Sequence, residues 1–366
     1  MSLVSLMTDD KKVTLGNDPT NKIVLEVGFT GDTWKYSINR HALAEKSEWF
    51  RALLVGSMAP PISDPPPIIR LQHVDKRAFD HLFKYFCGEP IHFNSVLTAR
   101  STLDAAHYYI CPELAKLAID YIIKNLTPST VLTVYHGLNL YLNHRSRISQ
   151  ETLAISNDDV TEIAVACSQL FNACLAVIDG AIDQVLCQEN FEELTCEEVR
   201  LIASRDDLKL TQESILFKAL EKWAASECRR CGVEPTPYNK RAALSDEVWY
   251  SVRYLLMNDR EFIQGPMASG ILTSEESAAI VAKILGHTEY QGNSKRSNNN
   301  FIDRKLLAVP RKNKISSKIK KNSMKLAKKE REDNKKNQKI EHASQSQQAC
   351  ARVGDFVIRA LAYVFD

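Results

Sequence analysis

The 366-residue sequence has no uninterrupted apolar run of about 18 residues or more, which excludes a membrane span. Its start, M-S-L-V-S-L-M-T-D-D-K-K, has neither a basic opening nor a long apolar stretch, so no signal peptide is expected. Phosphate-cradling GxxxxGK[ST] and GxGxxG patterns are absent, and so is the GxSxG elbow of serine hydrolases. Only one close cysteine pair occurs, Cys228 and Cys231 in C-R-R-C. A structural zinc site needs four ligands, and no second CxxC or close His pair accompanies this one. A redox pair sits at a helix start after a strand, whereas this pair ends a long helical pattern, so two ordinary thiols are expected. His41, His73, His81, His92, His107 and His136 are spread singly, with no visible nucleophile partner. Asp206–Asp207 and Glu197–Glu198 read as helix-start charges that favour the dipole. No catalytic residue, metal ligand or cofactor is therefore expected.

What is present has the composition of a soluble globular protein, 44% hydrophobic and 25% charged, long enough for two or three domains. The nine cysteines are odd in number and scattered. Cys87, Cys167, Cys174 and Cys187 lie in apolar helical patterns, where a reduced thiol acts as a small hydrophobe. A reducing compartment follows, the cytosol first and the nucleus second. The net charge of +2 conceals an asymmetry: residues 295–340 carry an excess of 13 basic charges, leaving the rest at −11. This basic stretch suits a solvated arm, a nuclear address centred on Lys320, Lys321, Lys328 and Lys329, or a phosphate-backbone contact. Aromatic residues for base stacking are missing between Ile302 and Asp355, so nucleic-acid binding is the least favoured of the three.

The pattern organises around Asn39–Leu54, N-R-H-A-L-A-E-K-S-E-W-F-R-A-L-L, which predicts two short helices joined at Lys46–Ser47, with Ser47 as N-cap. Strands are expected at Ile23–Val27, Trp34–Ile38 and Ile68–Leu71. Between the helices and the third strand, five prolines within residues 60–67 predict a rigid extended loop. Asp75 should cap a helix carrying Phe79, Leu82, Phe83 and Phe86, stopped by Gly88, and Pro112 should open another helix. After Thr127-Pro128-Ser129 the chain reads as helical: Val131–Leu142, Val160–Gln188, Thr195–Ile202, Glu213–Arg230, Pro237–Leu244 and Glu247–Leu255, with an inserted loop over Asn143–Asp159.

Two segments carry a family resemblance. H-A-L-A-E-K-S-E-W-F-R-A-L-L and I-I-R-L-Q-H-V-D-K-R-A-F-D-H-L-F-K-Y-F-C-G-E-P-I, from Ile68 to Ile91, resemble the BTB/POZ signature. Further on, S-R-D-D-L-K-L-T-Q-E-S-I-L-F-K-A-L-E-K-W-A-A-S-E-C-R-R, T-P-Y-N-K-R and G-I-L-T-S-E-E-S look like the BACK region of the BTB–BACK–PHR group. The resemblance implies a flexible leader over 1–21 and an α+β BTB/POZ domain over 22–126. It then implies an all-α BACK domain over 127–290 and a basic, mostly disordered tail over 291–366. The group's third domain, a β-sandwich, is not expected here, since the remaining length is too short and shows no strand alternation.

BTB–BACK proteins are generally non-enzymatic adaptors that homodimerise and dock on cullin-3, presenting a protein substrate for ubiquitin transfer. Carried over by position, the cullin-facing residues would be Met58, Leu82, Phe83, Tyr108, Tyr109, Ile110, Leu132, Tyr135 and Leu138. Two departures bear on this. The cullin motif ends in Glu, and the matching Met58-Ala59-Pro60 has Pro60 there. Asn21-Lys22-Ile23 replaces a Ser-Asp-Val whose acid the dimer interface uses. The alternative is a nuclear or cytoskeletal scaffold, or a decoy that dimerises with related BTB proteins outside ubiquitylation.

Overall fold

The computed structural model describes residues 21–29, 31–55, 59–72, 74–142, 158–286 and 309–311. The chain divides into two compact units, Met1–Ala176 and Val177–Asp366.

In the first unit, β1 (Lys22–Phe29) pairs antiparallel with β2 (Asp32–Asn39) and parallel with β3 (Ile68–Leu71), in the order β2-β1-β3. The central strand alternates as a half-covered strand must: Ile23, Leu25 and Val27 are fully buried, and Tyr36 and Ile38 bury beside them from β2. Gly28 sits at φ +123°, where a side chain is strained, and an added Cβ would collide with the Asp32 carbonyl oxygen. Gly28→Ala is expected to destabilise this unit by ~1–3 kcal/mol, read as a lower urea midpoint at unchanged slope.

The helical hairpin follows as α1 (Arg40–Lys46) and α2 (Glu48–Val55). Ser47 is the joint that the sequence predicts: its Oγ accepts from the Phe50 amide at 3.2 Å. Next come α3 (Lys76–Cys87), α4 (Val96–Tyr108) and α5 (Pro112–Asn125). Asp75 caps α3 by accepting from the amides of Arg77 and Ala78, Gly88 ends it at φ 73°, and Pro112 opens α5.

The expected continuous helix Val131–Leu142 is two pieces, α6 (Val131–Tyr135) and α7 (Asn139–Leu142). Gly137 takes φ 77° between them, and the Arg100 guanidinium takes the Val134 and His136 carbonyls, each at 3.2 Å. The predicted inserted loop falls largely outside the described residues.

The long helix α8 (Asp158–Gly180) corrects two expectations. It stops at Gly180 instead of running to Gln188, with α9 (Ile182–Leu186) as a separate turn. Its stretch Val160–Gly180 is long and apolar enough to cross a membrane by length and composition, although occasional polar residues interrupt the apolar run. Ile163, Cys167, Leu170, Cys174 and Ile178 form one buried stripe along it, the pattern of a core helix packed on one side.

The second unit adds α10 (Cys196–Ala203), α11 (Glu213–Arg230), α12 (Pro237–Ala243), α13 (Asp246–Trp249), α14 (Asp259–Phe262) and α15 (Ser274–Ile284). Capping boxes fix three of the starts, Thr195 with Glu198 at α10, Asn258 with Glu261 at α14 and Thr273 with Glu276 at α15. The expected helix Glu247–Leu255 is instead the single turn α13 and a 3-10 turn, Tyr254–Leu256, with the buried Arg253 between them. The core gathers Phe217, Trp223, Trp249, Tyr254 and Phe262, and the Trp223 indole donates to the Leu194 carbonyl at 2.8 Å.

Candidate protein-binding ledge

One short helix organises the surface at which Tyr108 and Ile110, two of the sequence-derived binding residues, keep exposed area. At its start, Arg40 donates to the carbonyls of Pro60 and Pro61 at 2.6 and 2.9 Å, fastening the proline-rich loop. At its end, Ser47 Oγ donates to the Tyr109 carbonyl at 2.5 Å, fastening the corner between α4 and α5. Seven residues of helix separate these anchors by about 10 Å, so α1 holds both pieces in a fixed relation.

At that corner Tyr108 is 56% exposed and lies 6.2 Å, centroid to centroid, from the Trp49 ring. Ile110 is half-buried and adopts φ 53°, a left-handed conformation strained for a β-branched side chain. The corner is therefore rigid and presents an aromatic face. Strain of this kind is concentrated where a surface is put to use.

Of the nine candidate residues, six move from the surface to the interior. Leu82, Phe83, Tyr109, Leu132, Tyr135 and Leu138 are all buried within the chain, and Tyr135 stacks on Phe171 at 5.4 Å. Their aromatic and aliphatic character reflects core packing, which position in a helix alone does not separate from partner contact. Tyr108 and Ile110 keep exposed surface, and Met58 lies outside the described residues.

The groups considered for chemistry are dispersed. Among the described residues no three His, Cys, Asp or Glu side chains could hold a metal ion. His81 is buried with Nδ1 3.1 Å from Thr102 Oγ1, and burial holds its pKa below the ordinary histidine value. His73 lies outside the described residues. Cys228 is buried and Cys231 exposed, at the C-terminal end of α11. Cys174 is pushed up to about 12 by burial, which leaves it a neutral, inert thiol. Glu197 and Glu198 do open α10, but Asp206 and Asp207 lie in the turn after it, where Asp206 accepts from Arg253. Arg253 in turn belongs to a buried cluster with Glu213 and Arg311, a feature with no local sequence signal.

The BTB/POZ domain model matches residues 21–126, and the BACK model, BTB And C-terminal Kelch, matches residues 159–234. The chain is a BTB–BACK protein. BTB/POZ domain-containing protein 6 of Xenopus tropicalis is 31% identical over 254 residues, 69% of this chain and 42% of that protein. The Homo sapiens protein of the same name is 31% identical over 254 residues, 69% of this chain and 41% of the relative. BTB/POZ domain-containing protein 3 of Mus musculus is 26% identical over 268 residues, 73% of this chain and 45% of the relative. The BTB–BACK chain thus spans less than half the length of these curated relatives. BTB and BACK domains are protein-interaction modules, and the BTB–BACK core carries no catalytic domain among those matched.

Proposed function

We propose that this chain is a homodimeric substrate adaptor for a cullin-3 ubiquitin ligase, and that Tyr108 is its principal exposed anchor for the cullin. The observation carrying this reading is the exposed Tyr108 on a corner that Ser47 and the strained Ile110 hold rigid. An aromatic side chain already fixed in place loses little entropy on docking, as interface hot spots require. The cytosol is the compartment that fits this role, with the nucleus as second choice. The lysines of the nuclear address, Lys320, Lys321, Lys328 and Lys329, lie outside the described residues.

The test is titration of the full chain with a purified cullin-3 N-terminal region. Saturable binding at micromolar Kd or tighter is expected, and Tyr108→Ala should weaken it by ~2 kcal/mol, about 30-fold. Equal binding by the variant would remove Tyr108 from the interface.

Pro60 favours a second reading. Where the cullin motif has a carboxylate, this position offers a carbonyl already taken by Arg40 and no N–H. A BTB scaffold or decoy outside ubiquitylation, dimerising with related BTB proteins, would show self-association and no cullin binding in the same titration.

A further inference from the structure

Val309–Pro310–Arg311, within the stretch that reads as a free basic arm, lies docked on the helical unit. The Arg311 side chain is 2% exposed and faces Glu213, itself 8% exposed. Arg311 Nε donates to Glu213 Oε1 at 2.7 Å and Nη2 donates to Oε2 at 3.2 Å, a two-point grip on the carboxylate. Nη1 donates to the carbonyls of Ala203 and Arg205 at 3.2 and 2.5 Å, and Nη2 to the Ser251 carbonyl at 3.0 Å. All three guanidinium nitrogens are engaged, by three separate parts of the unit: the end of α10, the start of α11 and the turn after α13.

The backbone of the docked segment is read as well. Arg253 Nη1 donates to the Val309 carbonyl and its Nη2 to Asp206, so Arg253 bridges the segment to the turn after α10. Pro310 between them has no amide hydrogen that needs a partner. Val309 and Pro310 stay exposed, and a cleft of about 200 Å³ runs beside Pro310 and Arg311, lined also by Thr211, Gln212, Leu256 and Glu261. A carboxylate, three aimed carbonyls and a bridging arginine make a socket for one guanidinium and the carbonyl two residues before it. Planar, forked geometry of this kind distinguishes Arg from Lys.

We propose that this cradle is a peptide-recognition site of the helical unit, selective for an arginine preceded by proline, with Val309–Pro310–Arg311 of the same chain as its resident ligand. The proposal stands apart from the cullin reading, which concerns the other unit. A tethered ligand competes with any added peptide at an effective concentration of about 1 mM. For an intrinsic Kd of about 10 µM, the occupied wild-type site should bind a free peptide about 100-fold more weakly than an emptied one.

The experiment titrates a labelled Leu-Ala-Val-Pro-Arg-Lys peptide into the full chain and into its Arg311→Ala variant. The variant is expected to bind at micromolar Kd and to gain thermal stability with the peptide, while wild type binds at least 30-fold more weakly. A peptide with Lys in place of Arg should lose at least tenfold, and Glu213→Gln in the Arg311→Ala background should weaken binding similarly. No binding by the folded variant, or equal affinity for wild type and variant, overturns the proposal. Should Arg311→Ala fail to fold, limited trypsin digestion of native wild type decides. The bond after Arg311 should survive in native protein and be cut once urea unfolds the chain, and equally fast cutting in both would refute docking.

Discussion

Replacing Tyr109 with Ala should cost the N-terminal unit ~3–5 kcal/mol, whereas Tyr108→Ala beside it should cost about 1 kcal/mol or less. The two rings are adjacent in sequence and opposite in role. Tyr109 is 1% exposed, stacks on Phe50 at 5.2 Å and 13°, and meets the edges of Trp49 and Phe79 at 5.1 and 6.1 Å. Removing it empties a close-packed site between α2, α3 and α4, which the fixed backbone cannot refill. Its hydroxyl is also held far above the ordinary tyrosine pKa by burial, so it stays neutral at any physiological pH. Tyr108 touches Trp49 and Tyr109 from outside and leaves most of its ring in water. Urea unfolding of the full chain, followed by near-UV dichroism, reads both variants. A Tyr109→Ala loss under 1 kcal/mol, or a Tyr108→Ala loss above 2 kcal/mol, would reverse the assignment of core and ledge.

That contrast marks the limit of what the residues disclose by themselves. Local chemistry is fully readable: Asp75 as a cap, Gly88 as a left-handed stop, Pro112 as a helix opener and Ser47 as the joint of the hairpin each act through neighbours a few residues away. The three strands are readable for the same reason, since alternation in β1 records burial on one face. Whether an apolar side chain on a helix faces its own core or a partner is not local information. Leu82 and Phe83 fit both, and only the packing of α3 against its neighbours assigns them. The helix breaks at Gly137 and Ala181 escape the pattern because apolar spacing continues across them while the backbone turns. The Arg311 socket is the extreme case. Glu213 and Arg311 are 98 positions apart, and an arginine in a lysine-rich stretch looks like solvated charge until its partner is located.

The largest effect in the helical unit is expected from Arg241→Ala, a loss of ~3–5 kcal/mol, because it strands a partly buried carboxylate. Arg241 donates to both Glu276 oxygens at 2.7 and 3.0 Å, to the Ile271 carbonyl at 3.0 Å and to Tyr250 Oη at 2.9 Å. Tyr250 in turn donates to Glu276 at 2.7 Å, and Glu276 also accepts from the Thr273 amide at 2.8 Å, which ties the cluster to the start of α15. Burial alone would raise the Glu276 carboxyl, but the hydrogen bonds from Arg241, Tyr250 and the Thr273 amide outweigh it and bring the pKa below 4.5. Tyr250 is pushed up to about 12 by burial and by Glu276, so it remains a donor throughout the useful range. A carboxyl whose folded pKa is depressed contributes stability that is present above its unfolded pKa and lost as pH falls through the folded one. Wild type should therefore lose stability from this cluster below pH 4.5, and Glu276→Gln should lack that component while being weaker at pH 6. Urea midpoints of the helical transition at pH 6 and pH 3.5 compare the two proteins directly. If both lose the same amount on acidification, Glu276 is not the titrating group. If Arg241→Ala costs no more than an exposed ion pair, about 1 kcal/mol, the cluster does not hold α12 to α15.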